Sequence, residues 1–125
     1  METLIDTHVL LWYLLDPGKL SPSSRNRLQD AQQTVLVSIA SIWEASIKGK
    51  IGKLHLPADL IQGVRQVHFR FLEIVPEDAW MAGQLPLHHR DPFDRILIAQ
   101  ALRRNLPLMT ADKQFSSYSV NIVPV

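Results

Sequence analysis

The sequence predicts an α/β fold, a three-layer α/β/α sandwich with a mainly parallel central sheet. Short apolar runs alternate along the chain with longer segments that carry helix-start signals. The runs, of which residues 35–37 are typical, are apolar at consecutive positions, as in strands buried on both faces of a parallel sheet. With 125 residues and 46% hydrophobic content, we expect residues 1–125 to form a single domain with one core.

The first half of the chain predicts two strands and three helices. Ser21 and Pro22 are typical of a helix N-cap and first helical position, and Ser38 can cap the helix that follows the second strand. Apolar runs that end at Asp6 and at Ser38 mark the strands. The predicted elements are strands at 4–5 and 35–37 and helices at 9–15, 22–33 and 39–48.

The second half begins with a lysine-rich loop, which the glycines and the proline between Gly49 and Pro57 predict. Proline is favoured at the first position of a helix, and Pro57, Pro76 and Pro92 each begin one. The predicted elements are helices at 57–68, from 76 to before 86, and at 92–104, with strands at 71–75, 106–110 and 120–123.

Charge and cysteine content exclude several classes of protein. The net charge is +1 and the isoelectric point is near 8.2, so nucleic-acid binding would depend on local basic patches. No cysteine is present, which excludes disulfides, thiolate catalysis and cysteine-based zinc sites. The N-terminus lacks the basic start of a secretory signal, and the apolar stretch ending at Leu15 is too short to cross a bilayer. We therefore expect a cytoplasmic protein without membrane association.

Two aspartates follow predicted strands. Asp6 comes directly after the first strand, and Asp112 comes two residues after Thr110, at the end of a later one. In folds of this class, ligands bind beyond the carboxyl ends of the parallel strands, so both carboxylates are expected at that edge. The alternative is that each aspartate caps the helix or turn that follows it, because aspartate is a favoured N-cap residue.

Glu44 lies in the middle of a predicted helix, beside the apolar stripe that includes Ala40 and Ile47. An ionised carboxylate that faces a core is costly unless it is paired or bound to a cation. The alternative is a partly exposed position paired with Lys48, at the favourable four-residue spacing. The sequence leaves both interpretations open.

The segment Asp91-Pro92-Phe93-Asp94 predicts a helix start, with Asp91 as N-cap and Pro92 at the first helical position. Asp94 heads the apolar stripe of this helix, so it is expected to serve both the helix and a site. The five histidines have no zinc-type spacing, and we expect His8 to pack or to form hydrogen bonds. There is no Gly-rich phosphate loop and no Gly-x-Ser-x-Gly elbow.

Four segments, LIDTHVLL, VSIASIWEASI, DPFDRILIAQA and LMTADKQF, together resemble the PIN domain. The resemblance extends from residue 3 to the last predicted strand. It implies a family of metal-dependent ribonucleases, many of whose small bacterial members are VapC-type toxins of toxin–antitoxin pairs. It also implies an acidic catalytic and metal-binding site at four positions, Asp6, Glu44, Asp94 and Asp112.

The resemblance assigns supporting positions as well. Hydroxyl residues two before the last acid and six before the glutamate are common in the family, and Thr110 and Ser38 match them. Thr7 completes the Asp-Thr pair, and His8 departs from the Asn or Ser that many members carry next. The run from His89 to Arg95 resembles a subgroup with two acids around Pro-Phe, so Asp91 is a possible additional acid.

Oxygen ligands of this kind suit Mg²⁺ or Mn²⁺, with one or two ions, and the expected reaction is cleavage of RNA phosphodiester bonds. Five basic residues are possible contacts for RNA phosphates, with a solvated basic face as the alternative for each: Lys48, Lys50, Lys53, Arg90 and Arg95. The resemblance further implies an antitoxin partner and a homodimer. Trp12, Trp43 and Trp80 are candidates for either the core or such an interface.

Two other functions compete with this interpretation. A receiver-like phospho-signalling domain is also an α/β protein with an acidic Mg²⁺ pocket, but it needs an aspartate after a central strand. The second strand ends in Ser38 and the third is followed by Pro76, so neither provides that aspartate. A PIN-like interaction domain that has lost catalysis is the second alternative, although all four acids are present.

Overall fold

A five-stranded, entirely parallel sheet forms the centre of the protein, in the strand order β3-β2-β1-β4-β5. The structure is a computed structural model that describes residues 1–53, 56 and 59–125. The strands are β1 (Glu2–Ile5), β2 (Thr34–Ser38), β3 (Arg70–Leu72), β4 (Leu108–Met109) and β5 (Ile122–Val123). The α/β prediction is therefore confirmed, and the sheet is parallel at every pairing.

Within the described residues, six α-helices flank the sheet. They are α1 (Thr7–Leu15), α2 (Pro22–Gln29), α3 (Ile39–Lys50), α4 (Leu60–Gln66), α5 (Pro76–Gln84) and α6 (Pro92–Arg104). Short 3₁₀ turns follow α1 and β4. The prolines at positions 22, 76 and 92 all occupy the first helical position, where the missing N–H leaves no bond unmade. None of these helices is long and apolar enough to cross a membrane.

Two apolar layers pack on the two faces of the sheet, because alternate strand residues point to opposite sides. Ile5, Val37 and Met109 face one layer, together with side chains of α1, α2 and α4. Leu4, Leu36 and Leu108 face the other layer, which contains the inward side of α6. The result is the three-layer sandwich that the alternating apolar pattern predicts.

Several elements have different bounds from those predicted, and local hydrogen bonds explain two of the differences. The fourth strand was predicted at 106–110, but the N–H of Leu106 is bound to the end of α6, and Pro107 has no N–H. The third strand was predicted at 71–75, but the N–H of Val75 donates to Asp78 of α5. Helix α2 ends at Gln29 rather than at residue 33, and the fourth helix begins at Leu60; its predicted start at Pro57 lies outside the described residues.

The three tryptophans separate into two groups. Trp12 is half-buried and packs against the core layer beneath α1. Trp43 on α3 and Trp80 on α5 are exposed, at 62% and 74% of their full surface. Trp12 therefore belongs to the core, and the other two tryptophans are available to a partner.

The strand order reverses between β1 and β4, which lie side by side at the centre of the sheet. Chain connections leave the two strands in opposite directions, so a crevice opens beyond their carboxyl ends. Asp6 directly follows β1, and Thr110 directly follows β4. The fold thus places the first acidic signal of the sequence at the position where α/β proteins usually bind ligands.

Candidate metal centre

Asp6 is buried at the mouth of this crevice and uses both of its carboxylate oxygens. Oδ1 accepts a 2.8 Å hydrogen bond from the backbone N–H of Val9, which caps α1. Oδ2 accepts a short hydrogen bond from the hydroxyl of Thr110, which in turn accepts one from the N–H of Asp112. Burial raises the pKa of Asp6 above its usual range, against these hydrogen bonds, which lower it. The aspartate is therefore both a helix cap and a member of the site.

Glu44 on α3 is only 2% exposed and is held from two sides. Its Oε1 accepts a 2.6 Å hydrogen bond from the hydroxyl of Thr7, and its Oε2 lies 2.6 Å from the ammonium of Lys48. Thr7 also contacts the hydroxyl of Ser41 at 2.9 Å. The two interpretations that the sequence left open are thus combined, because the glutamate faces inward and is paired with Lys48 at the same time.

Ser38 stands at the end of β2 and is fully buried. Its hydroxyl accepts a 3.0 Å hydrogen bond from the N–H of Ala40 and so caps α3. In this position Ser38 fixes the start of the helix that carries Glu44.

Asp91 and Asp94 have different tasks at the start of α6. Oδ1 of Asp91 accepts hydrogen bonds from the N–H groups of Phe93 and Asp94, at 2.9 and 3.2 Å, as an N-cap. Asp94 faces the crevice, where burial and the charges of the neighbouring acids raise its pKa to about 8; these acids are Asp91, Glu44, Asp6 and Asp112. A carboxyl group that is perturbed by all the other acids identifies the centre of the cluster.

Asp112 follows Thr110 and closes the cluster on the β4 side. One of its oxygens accepts a 2.9 Å hydrogen bond from the N–H of Gln114 and caps the 3₁₀ turn. The other oxygen lies 3.1 Å from Nε2 of His89, which also lies 2.9 Å from a carboxylate oxygen of Asp94. His89, Asp94 and Asp112 present ligand-type atoms that all lie within 4.8 Å of one another.

His89 is the member of the site that the sequence pattern did not indicate, because it lies on a loop and has no ligand spacing with the other histidines. The only local signal is its position two residues before Asp91 in the His-Arg-Asp-Pro-Phe-Asp-Arg run. His8, by contrast, is exposed next to Asp6, and its charge lowers the pKa of that carboxyl group.

The donor set fits a hard divalent cation. The carboxylates of Asp6, Glu44, Asp94 and Asp112 meet at one crevice. Burial, together with the charges of Asp91 and of the other three acids, raises the pKa of Asp94 to about 8. Lys48 pairs with Glu44 at the side of this group; burial would lower the pKa of Lys48, but Glu44, Asp91 and Asp94 raise it. A divalent ion would relieve the repulsion that remains.

The basic residues that the sequence offered for RNA binding have different surroundings. Lys50, Lys53 and Arg90 are exposed, whereas Lys48 is held against Glu44. Arg95 is only 7% exposed, and its guanidinium donates to the carbonyl oxygens of Leu85, Pro86 and His89 at 2.8 to 3.0 Å. The structure therefore gives Arg95 the role of fixing a loop, which differs from both alternatives considered for it, a contact with RNA phosphates and a solvated basic face.

The fold and the acid cluster define the class of protein. The sequence model of the PIN domain matches residues 3–121, so the chain belongs to the PIN domain family. The receiver-like alternative is wrong, because the family match excludes it and because receivers have a 2-1-3-4-5 sheet rather than the 3-2-1-4-5 order found in this protein.

One sequence relative and two solved structures illustrate what the chain is similar to. The chain is 27% identical over 118 residues to Ribonuclease VapC22 of Mycobacterium tuberculosis (strain ATCC 25618 / H37Rv), a match that covers 92% of this chain and 90% of that protein. The fold of the chain is similar to that of VapBC2 from Rickettsia felis bound to a promoter DNA fragment, with TM-score 0.73, 13% identity, and coverage of 100% and 99%. A toxin–antitoxin complex from Klebsiella pneumoniae gives TM-score 0.64, 20% identity, and coverage of 97% and 95%.

Proposed function

We propose that this protein is a metal-dependent endoribonuclease that cleaves RNA phosphodiester bonds and acts as the toxin of a toxin–antitoxin pair. The observation that carries the proposal is the convergence of four acids on the central crevice, with the pKa of Asp94 raised to about 8. Membership of the PIN domain family and the similarity to a protein named Ribonuclease VapC22 support it.

In this proposal Asp6 and Asp94 are the principal metal ligands, and Glu44 and Asp112 complete the site. Mg²⁺ or Mn²⁺ suits the set, because hard cations prefer oxygen ligands and retain water. When bound, the ion supplies a more acidic water and positive charge beside the scissile phosphate. One ion or two ions are compatible with four carboxylates.

The chain's own residues hold this arrangement in place. Thr110 orients Asp6, and Thr7 orients Glu44, each through its hydroxyl group. Asp91 serves as the cap that fixes the first turn of α6, and so the position of Asp94, rather than as a fifth ligand. Exposed Lys50, Lys53 and Arg90 are candidates for contacts with RNA phosphates, where each lost contact would weaken binding to all sequences alike.

The primary test is cleavage of cellular RNA with Mg²⁺ or Mn²⁺, with a chelator as the negative condition. We expect Asp94→Asn to reduce the cleavage rate by about 100-fold or more, because loss of a group that only orients metal ligands already costs about 10- to 100-fold and Asp94 is a proposed ligand. The matched control is Asp30→Asn, which changes an exposed aspartate on the surface loop after α2. Full metal-dependent cleavage by Asp6→Asn would show that the mechanism is wrong.

The partner is tested separately from the reaction. Solved structures with the same fold include complexes described as VapBC and as toxin–antitoxin, which supports an antitoxin protein as the partner. Expression of the protein alone should stop growth, and co-expression of the product of a neighbouring small gene should restore it. Unaffected growth would favour the alternative of a catalytically silent interaction domain.

A homodimer is also proposed, and the exposed side chains of Trp43 and Trp80 are candidates for its interface. Sedimentation of the isolated protein should give the mass of two chains. A monomer at micromolar concentration would contradict this part of the proposal.

A further inference from the structure

His89 lies on the loop before α6, and both of its backbone groups are bound by side chains, those of Tyr118 and Arg95. The N–H of His89 donates to the hydroxyl oxygen of Tyr118 at 2.9 Å, and the same hydroxyl donates to the carbonyl oxygen of Pro86 at 2.6 Å. The carbonyl oxygen of His89 accepts a 3.0 Å hydrogen bond from the guanidinium of Arg95. His89 is only 8% exposed, and its imidazole packs against the ring of Phe115 at 5.5 Å. The position of the ring is thus fixed by the fold.

The hydrogen bonds of the ring define its tautomer. Nδ1 accepts a 3.2 Å hydrogen bond from the backbone N–H of Asp91, so this nitrogen presents a lone pair. The proton of the ring therefore lies on Nε2. Nε2 faces one carboxylate oxygen of Asp94 at 2.9 Å and one of Asp112 at 3.1 Å. Its N–H is a donor shared between two acids, and no lone pair at Nε2 is left for a cation.

We propose that His89 is a positioning residue of the metal centre and not a metal ligand. Its Nε2–H holds the carboxylates of Asp94 and Asp112 together, and the N–H of Asp91 keeps the ring in the tautomer that can do so. This inference rests on the proposed metal-dependent function. It also gives Asp91 a second task beyond the cap of α6, since its backbone N–H and its side chain act on different members of the site.

The metal preference of the site depends on whether Nε2 of His89 binds the ion or donates a hydrogen bond to the carboxylates. A histidine nitrogen bound directly to the ion would shift the preference of the site towards Zn²⁺ and other borderline metals. A donor that acts only on the carboxylates leaves an all-oxygen ligand set, which suits Mg²⁺ and Mn²⁺. The role of His89 therefore bears on which metal the protein selects.

Pulsed electron paramagnetic resonance of the Mn²⁺-loaded wild-type protein separates the two roles without any activity measurement. A directly coordinated imidazole gives a strong ¹⁴N coupling to Mn²⁺. We expect this coupling to be absent in the wild type. A directly coordinated ¹⁴N signal that disappears in His89→Ala would overturn the proposal.

Calorimetric titration with Mn²⁺ tests the positioning role itself. His89→Ala should bind Mn²⁺ about 10- to 100-fold more weakly, as expected for loss of a group that orients ligands. His89→Gln should recover most of that affinity, because its amide N–H₂ replaces the Nε2–H. The matched control is His88→Ala, which removes the adjacent exposed histidine. Wild-type affinity in a folded His89→Ala protein would also overturn the proposal.

The outcomes distinguish this inference from the proposed function. If wild-type protein fails to bind Mn²⁺ or Mg²⁺ at all, the metal centre is wrong and the role of His89 is wrong with it. If the wild type binds Mn²⁺ and cleaves RNA but shows a coordinated nitrogen, only the positioning role is wrong. Thermal unfolding of each variant establishes that it is folded, and the wild-type spectrum does not depend on any variant.

Discussion

Asp94 and Asp78 occupy the same local position and have opposite electrostatic properties. Each is the third residue of a helix whose first residue is proline, α6 in one case and α5 in the other. Burial acts to raise the pKa of both. The neighbouring acids add to this effect at Asp94, whose pKa is about 8, whereas hydrogen bonds from Arg104, Val75 and Arg103 lower the pKa of Asp78 to about 2.

The difference lies in where the countercharge comes from. At Asp78 the chain itself provides two guanidinium groups, at 2.7 and 2.8 Å, and the pair ties α5 to α6. At Asp94 the chain provides further acids, with the Nε2–H of His89 as the close donor. A carboxylate with its own arginines stabilises the fold, whereas a group of carboxylates is arranged for a cation from outside.

The largest expected effect is the pH dependence of the metal-free protein. Because Asp94 has a pKa of about 8 when folded and about 4 when unfolded, the folded protein holds a proton that the unfolded chain releases. The free energy of unfolding should therefore fall as pH rises from about 4 to about 8, by at most about 1.4 kcal/mol per pH unit. Asp94→Asn should be more stable than wild type at the upper end and should flatten this slope. Urea unfolding at several pH values, with a chelator present, measures the free energy of unfolding of both proteins. The same pH slope for wild type and Asp94→Asn would show that Asp94 does not carry this effect.

Asp78→Asn should have the opposite effect on stability to Asp94→Asn. It should lower the free energy of unfolding by about 3 kcal/mol, because it removes one partner of a buried ion pair. The contribution of Asp78 is present above the unfolded pKa, near 4, and is lost as pH falls through about 2. Denaturant unfolding at neutral pH provides the measurement, with Glu77→Gln, at the exposed neighbour, as control. A loss as small as that of the control would mean that the arginines contribute little.

Stabilisation of the protein by a bound metal should depend on Asp94 and not on Asp78. At pH 8, Mn²⁺ at about 100 times its dissociation constant should raise the free energy of unfolding by about 2.7 kcal/mol. Asp78→Asn should keep this increment, whereas Asp94→Asn should lose most of it. Thermal unfolding with and without Mn²⁺ compares the three proteins, and an equal increment in all of them would place the ion elsewhere.

The smallest expected effect concerns Lys48, which pairs with Glu44 beside the acid cluster. Lys48→Gln should lower the free energy of unfolding by about 1 kcal/mol or less, because the Lys48 side chain is 30% exposed in its pair with Glu44. Lys50→Gln, at an exposed position two residues later, should have almost no effect. A double-mutant cycle with Glu44→Gln isolates the pair, and a coupling near zero would remove Lys48 from the charge balance.

The sequence was informative where local pattern decides structure. Buried strands and proline-started helices follow from apolar runs and from backbone constraints within a few residues, so the α/β class and the helices were predictable. Asp6, Glu44 and Asp94 were predictable as inward-facing acids for the same reason. The ends of β3 and β4 were not, since Val75 and Leu106 direct their N–H groups to α5 and α6 instead of to the sheet.

Residues whose roles depend on distant partners were missed. His89 is held by Tyr118, 29 residues later, and Asp78 meets its arginines 25 and 26 residues later. For Arg95 the alternatives were a contact with RNA and a solvated basic face, because the sequence shows its charge but not the three carbonyl groups that surround it. In each case the three-dimensional neighbours, and not the residue type, determine the role.

The central position of β1 has a consequence for the synthesis of the protein. One edge of β1 pairs with β2, which is made soon afterwards, but its other edge pairs with β4, and Asp6 is 104 residues from its partner Thr110. Translation proceeds at about 5–20 residues per second, so a nascent chain has no complete crevice for most of the time it spends on the ribosome. Until β4 and the residues that follow it are made, the nascent chain lacks Thr110 and Asp112 and cannot assemble the acid cluster.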